Sequence, residues 1–166
     1  MSAVQTQTST WKIDKAHSHA EFKVKHMMIS NVKGQFSGID GLLTLDEHNV
    51  TQSGVDASID VSSVATGDLQ RDAHLKSADF FDVEKFPQLT FKSTQVSGGD
   101  GELKVTGDLT MLGKTKSITF PAKLSVGGDG LTVSSKFTID RTQWGMTYGV
   151  GKIDNDVKLT VSVKAK

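Results

Sequence analysis

Apolar and polar residues alternate with a period of two along most of this chain, and that alternation constrains the fold more than any other feature. In the segment 20–28, apolar residues and His26 occupy one face, while the other face is charged except at Met27. This pattern is typical of a β-strand with one buried face. The same alternation recurs in segments 32–36, 55–61, 89–91, 103–111, 118–126, 131–139 and 157–163.

Short turn segments separate these predicted strands. The chain has 16 glycines and only 2 prolines, which suits many tight turns between uninterrupted strands. About eight strands joined mostly by short turns favour an all-β fold, an up-and-down antiparallel β-barrel. An eight-stranded barrel can be filled by side chains or can hold one ligand, and the alternation leaves both open.

The segment 64–86 interrupts the strand pattern. Thr66 or Asp68 could cap a short helix that contains Leu69 and Ala73 at helical spacing. A long connection in an otherwise tightly turned barrel is more often a lid or binding element than a spacer. The sequence therefore predicts a short helix and loop inserted near 64–86.

Length and charge limit the class of protein. The 166 residues predict one domain, 11–166, after a polar N-terminal segment, 1–10, that we expect to be flexible. Basic and acidic residues are equal at 19 each, so neither a nucleic-acid footprint nor a polybasic membrane patch is expected. No apolar run approaches the roughly 18 residues of a membrane helix. The start of the chain does not resemble a signal peptide, which predicts a cytoplasmic protein, or a periplasmic one if a signal was removed.

Histidines give the main alternative function. His17 and His19 form an H-x-H pair, and His74 could be a third ligand of a metal-dependent enzyme. Such a site needs a further ligand, and no nucleophile elbow or phosphate-binding loop accompanies it. We therefore expect neither a metal site nor catalytic residues. A structural β-domain with a filled core is the other alternative.

Two polar residues are candidates for contact with a ligand. His26 lies on the apolar face of its predicted strand, where a buried imidazole needs a hydrogen-bond partner. It could anchor a ligand head group or be a satisfied core histidine. Arg141, close to Trp144, could meet a head group or brace the end of the barrel.

Six short motifs, in order over nearly the whole chain, resemble the bacterial YceI-like family. They are W-x-I-D-x-x-H-S at 11–18, V-x-G-x-F at 32–36, R-D-x-H-L-K-S-x-D-F-F-D at 71–82, F-P-x-x-x-F-K-S at 86–93, G-D-L-T-x-x-G-x-T at 107–115 and I-D-R-x-x-W-G at 139–145.

The resemblance implies a lipocalin-like, elongated barrel that binds a polyisoprenoid, either a polyprenyl chain or a quinone, in an apolar tunnel. It implies an isoprenoid lipid as partner, with no resident cofactor and no catalysis, and it leaves a homodimer open; the charge balance and the lack of a long apolar run predict no nucleic acid and no integral membrane segment. The residues expected to bind the ligand are Phe22, His26, Phe36, Leu75, Phe80, Phe81, Phe91, Leu109, Met111, Arg141 and Trp144.

Overall fold

The computed structural model describes residues 8–46, 48–128 and 130–166. Most of the N-terminal segment expected to be flexible, 1–7, lies outside the described residues. The remainder, 8–10, is paired strand, because Thr8 lies opposite Asp46 and Thr10 opposite Thr44. Residues 8–10, which were expected to belong to the N-terminal segment, are therefore part of the sheet.

Ten antiparallel strands form a single sheet, in the order β1-β4-β5-β6-β7-β8-β9-β10-β2-β3. The strands are β1 (Thr8–Lys12), β2 (His19–His26), β3 (Ser30–Phe36), β4 (Ile39–Asp46), β5 (Gly54–Asp60), β6 (Gln88–Gly99), β7 (Glu102–Met111), β8 (Lys114–Gly127), β9 (Gly130–Asp140) and β10 (Asp156–Ala165). This confirms the predicted all-β, antiparallel architecture.

The strand count exceeds the predicted eight because both strands of the first hairpin are broken. A 3₁₀ helix, Lys15–His17, separates β1 from β2, and Asp14 caps it by accepting from the amide of Ala16. Since β1 pairs with β4 while β2 pairs with β3, the four segments are two long strands, each bent once. Counted in this way, the sheet has the predicted eight strands.

This bent hairpin also curls the sheet into a barrel-like shape. β2 pairs with β10 and β4 pairs with β5, so the hairpin connects the two ends of the consecutive run of strands. Lys12 and Lys166 exchange two backbone hydrogen bonds of 2.9 Å, which tie β1 to the end of β10. Inward side chains of opposite strands consequently face one another.

The predicted insertion is confirmed as helix α1 (Leu69–Lys76) with its flanking loops. Asp68 is the N-cap, since its carboxylate accepts from the amides of Gln70 and Arg71. Thr66 instead donates to the buried Asp72 at 2.6 Å. No helix in the described ranges is long and apolar enough to cross a membrane.

The two ends of the barrel differ in construction. At one end, which we call the helix end, lie α1, the turn between β2 and β3, and the loop from 141 to 155. At the opposite end, which we call the far end, lie the β8–β9 turn and a tightly packed cluster that includes Ile13, Leu43, Leu131 and Ala165. Strand pairs and buried side chains close the far end, whereas a helix and loops cover the helix end.

Candidate functional site

An elongated apolar cavity of about 240 Å³ lies inside the curled sheet. On β10 alone, the inward residues from Val157 to Val163 line it, a distance of about 20 Å at the rise of an extended strand. In the part of the chain that the structure describes, only three lining residues are polar: Thr90, Ser135 and Arg141. The interior is thus neither a fully packed core nor a polar site.

Nine of the eleven residues predicted to bind a ligand line this cavity. They come from strands on several sides of the barrel and from the insertion. These nine are Phe22, Phe36, Leu75, Phe80, Phe81, Phe91, Leu109, Met111 and Arg141.

Two groups of aromatic rings shape the cavity wall. Phe36 packs against Phe22 and Phe81, with ring centroids 5.6 Å and 5.5 Å apart. Phe120 lies between Phe91 and Phe137 and stacks on Phe137 at 4.6 Å. Phe120 and Phe137 are not among the residues predicted to bind the ligand, although their alternation with polar neighbours places both on the inward face.

Gly34 explains how Phe22 fits at its position in β2. The two residues lie directly opposite each other on β3 and β2. A Cβ at Gly34 would collide with the Phe22 ring and with the methyl group of Thr66. The glycine of the V-x-G-x-F motif therefore provides the space that the aromatic ring occupies.

The insertion covers the helix end of the cavity. Leu75, Phe80 and Phe81 contribute side chains to the lining. The amide of Phe81 donates to the carbonyl of Leu75 at 3.0 Å, and His74 Nε2 lies 2.8 Å from Asp79 Oδ2. The hydrogen bonds of this cover, which consists of Leu75, Phe80 and Phe81, are local to the insertion, whereas Phe81 packs on Phe36 of β3 and Phe80 clusters with Met111 of β7.

Arg141 is the charged member of the lining, and its guanidinium is largely engaged by the backbone. Nε donates to the carbonyl of Asp154 at 3.0 Å, and the two terminal nitrogens donate to Met146 at 2.8 Å and Ile153 at 3.1 Å. Burial lowers the pKa of Arg141, which is only 3% exposed. Three of its five N–H groups therefore hold the 141–155 loop. This contact braces the end of the barrel, one of the two roles expected for this residue.

His26 does not lie inside the cavity, so the prediction that it is buried is wrong. It is exposed at the last position of β2, where the chain leaves the sheet. The next residues, Met27 and Met28, have φ values of 57° and 59°, which belong to a turn. The alternation therefore predicted buried side chains correctly in the first part of β2, but not at its exposed last position.

Trp144 is 1% exposed but is absent from the cavity lining. Its indole donates to the carbonyl of Leu109 at 2.9 Å, and its ring packs in a cluster with Phe80, Met111 and Met146. It supports the wall of the cavity from behind.

The histidines of the alternative metal hypothesis lie in separate environments. His17 Nδ1 is 2.8 Å from Asp14 Oδ2, and His19 Nε2 is 3.6 Å from Glu21 Oε1. His74 instead contacts Asp79, Phe80 and Tyr148 at the helix end. Within residues 8–46, 48–128 and 130–166, no three His, Asp or Glu side chains are grouped closely enough to hold a metal ion.

Relatives share this architecture and sequence. A protein YceI of Salmonella newport (strain SL254) is 38% identical over 164 residues, which is 93% of this chain and 85% of that protein. The crystal structure of Burkholderia cenocepacia BcnA matches with a TM-score of 0.87 and 25% identity, over 93% of this chain and 99% of BcnA.

A polyisoprenoid binding domain from Saccharophagus degradans, implicated in plant cell wall breakdown, has the same fold. Its TM-score is 0.77 at 15% identity, over 94% of this chain and 98% of that domain. The model of the YceI-like domain matches residues 11–165. The chain therefore belongs to the YceI-like family.

Proposed function

We propose that this protein binds one isoprenoid-type lipid, a polyprenyl chain or a quinone, in its cavity and acts as a carrier, store or sequestering protein. The elongated apolar cavity is the observation that carries the proposal. Each buried CH₂ group contributes about 0.8 kcal/mol, so a tail of several isoprene units has a large gross driving force. Apolar burial has no direction, and it selects for length and thickness of the tail more than for chemistry.

The polar end of the lipid is proposed to lie at the helix end. Arg141 is the charged residue of the lining, and its position near Met146 and Ile153 is at that end. A carbonyl or hydroxyl of a head group could accept from a guanidinium N–H that does not bond to the backbone. The tail would then extend along Val157 to Val163 toward the far end.

A long tail requires the cavity to enlarge. A cavity of about 150 Å³ accommodates benzene, whereas ligand pockets typically measure about 300–1,000 Å³. The cavity of about 240 Å³ lies between these values. We propose that the cover formed by Leu75, Phe80 and Phe81 moves outward on loading, because its hydrogen bonds are local to the insertion and only side-chain packing holds it against the strands.

The residues that line the cavity support binding without catalysis. Among the described residues, the lining holds no carboxylate, histidine or lysine, and the hydroxyl of Ser135 donates to the carbonyl of Pro121. A reaction needs a positioned acid, base or nucleophile. The fold shared with a polyisoprenoid binding domain is consistent with a binding role. The cytoplasmic location and the lack of a resident cofactor remain predictions.

Two measurements test this proposal. Mass spectrometry of a chloroform extract of the purified protein should identify a prenyl chain or a quinone. The protein stripped of lipid should take up a fluorescent prenyl probe, and an added quinone should displace the probe. A preparation that contains no lipid and also fails to take up either compound would disprove the proposed function.

A further inference from the structure

The turn between β2 and β3 presents three large apolar side chains to solvent. Met27 is 53% exposed, Met28 is 79% exposed and Ile29 is 89% exposed. Single exposed apolar residues are ordinary on protein surfaces. Three consecutive ones at the tip of a hairpin form a contiguous patch, which is the kind of surface that marks an interaction site.

The backbone conformation of this turn makes methionine an unusual residue at positions 27 and 28. Met27 and Met28 both have positive φ, and the amide of Ile29 donates to the carbonyl of His26. A β-turn whose two central residues both have positive φ favours Asn-Gly at those positions, because most side chains disfavour the left-handed region. The turn therefore displays two methionines where folding alone would favour small or polar residues.

A second exposed loop continues the same patch. The amide of Met27 donates to the carbonyl of Lys152 at 2.6 Å, which attaches the turn to the 141–155 loop. In that loop Tyr148 is 44% exposed and Val150 is 55% exposed. We call these five residues the apolar rim: Met27, Met28, Ile29, Tyr148 and Val150.

A row of lysines lies on the outer face of the strands behind the rim. Lys23 is directly opposite Lys158 on one side and Lys33 on the other. Like charges opposite each other destabilise a sheet. None of the three is in an ion pair within the described part of the chain.

The row corrects an expectation drawn from composition. Equal numbers of basic and acidic residues predicted no basic patch, but the strand pairing brings together three lysines that are distant in the sequence. Lys25 adds a fourth charge on the same face. The carboxylates on that face of β2, β3 and β10 are those of Glu21 and Asp156, so the face carries a local positive charge.

We propose that the helix end docks onto a lipid bilayer that contains anionic lipids. The apolar rim would enter the boundary between head groups and acyl chains, as the apolar faces of peripheral membrane elements do. Lys23 is four residues from Met27, so the lysine row lies about 13 Å behind the tip, at the depth of the head groups. A second copy of the chain fits this surface less well, because two lysine rows would repel each other.

Docking at this end would serve the proposed function, on which this part of the inference rests. Tyr148 packs against Phe80, with ring centroids 5.2 Å apart, and Phe80 belongs to the cover of the cavity. Docking would therefore place the cover against the bilayer. A lipid could then move between bilayer and cavity without crossing water.

Flotation of the full chain with vesicles tests the docking. We expect binding to vesicles of equal phosphatidylcholine and phosphatidylglycerol, and much weaker binding to phosphatidylcholine alone. The double variant Met28→Ser, Ile29→Ser should weaken binding by about tenfold or more, because two buried apolar side chains are lost. Val126→Ser is the control at the far end, since Val126 is 50% exposed close to the end of β8, and it should bind like the unmodified protein.

The lysine row is tested separately. Lys23→Gln, Lys33→Gln and Lys158→Gln should each weaken binding to the mixed vesicles by about fivefold, and added salt should reduce the difference. A triple variant of exposed lysines nearer the far end, Lys104→Gln, Lys123→Gln and Lys164→Gln, serves as the control. Circular dichroism establishes that every variant is folded.

Three results would overturn the docking proposal. They are no binding to any vesicle, equal weakening by the rim and far-end variants, and a dimer in solution that is lost in the rim variant. Uptake of a soluble prenyl probe in the absence of vesicles is measured in parallel. Retained uptake without vesicle binding rejects docking alone, whereas lost uptake rejects the proposed function.

Discussion

The indole Nε1 of Trp144 donates a hydrogen bond of 2.9 Å to the backbone carbonyl of Leu109. This bond joins the loop that follows β9 to β7, two strands away in the sheet. Leu109 lines the cavity, whereas Trp144 packs behind the lining. The relationship gives Trp144 a supporting role in the wall of the cavity.

Trp144→Phe should therefore destabilise the protein. The variant removes the hydrogen bond and part of a fully buried ring, and we expect the free energy of unfolding to fall by about 1–3 kcal/mol. Urea denaturation measures it. Trp11→Phe is the matched control, because Trp11 also donates a hydrogen bond, to Ser9 Oγ at 2.7 Å, but is only half-buried. An equal loss in both variants would contradict the special role of Trp144.

Replacement of Arg141 tests whether it braces the loop. Arg141→Met leaves the carbonyls of Met146, Ile153 and Asp154 without their donor. We expect unfolding to become easier by about 2–4 kcal/mol and the 141–155 loop to become sensitive to protease. Arg141→Lys should recover only part of the stability, since an ammonium cannot reproduce the planar fork. Full recovery by lysine would show that charge alone matters.

Acid should weaken the same region through Asp140. Hydrogen bonds from the side chain and amide of Thr142 hold the pKa of Asp140 below its usual value. A carboxyl with a lowered folded-state pKa stabilises the protein above about pH 4, and this contribution is lost as the pH falls through the lowered pKa.

The variant Asp140→Asn should give a flatter loss of melting temperature with falling pH than the unmodified protein. Asp14→Asn allows the same measurement at a second carboxyl, because the pKa of Asp14 is also lowered, mainly by a hydrogen bond from His17. A curve for Asp140→Asn that falls as steeply as that of the unmodified protein would contradict this assignment.

Filling the cavity should abolish lipid uptake with little loss of stability. Ala57 lines the cavity beside Phe91 on the neighbouring strand, so the ring of Ala57→Phe would occupy part of the cavity. The adjacent Asp56 points outward, and Asp56→Phe should leave uptake intact. By contrast, Ala122→Phe should overpack a cluster with Val96 and Val105 and cost about 1–3 kcal/mol. Denaturant midpoints and uptake of a prenyl probe distinguish the three; undiminished uptake by Ala57→Phe would place the lipid elsewhere.

Zinc should bind only weakly. His17 and His19 each contact a carboxylate at the surface, but His74 lies with Asp79 in another part of the barrel. Calorimetric titration should therefore show no stoichiometric, submicromolar site, and His17→Ala with His19→Ala should change little. Tight binding that the double variant removes would revive the metal hypothesis.

The sequence by itself determined the strands, their inward faces and the place of the insertion. These properties follow from local chemistry: alternation specifies a strand with one buried face, and Asp68 is a good cap for a helix. For the same reason Ala122 could be assigned inward and Lys123 outward, as the structure has them. The inward aromatic residues Phe22, Phe36 and Phe91 of the strands could be named on the same basis.

Only the tertiary structure decided where along a strand the side chains become exposed. It also decided which residues that are distant in the sequence become neighbours. His26 continues the alternation of β2, but the strand ends there and the side chain is exposed. Trp144 is buried, yet it lies behind the cavity wall and not on it. Lys23, Lys33 and Lys158 form a row through strand pairing, although the net charge of the chain is zero. The alternation of side chains along a strand is a local property. Whether a side chain is enclosed, and which charged side chains lie together, depend instead on which strands pair.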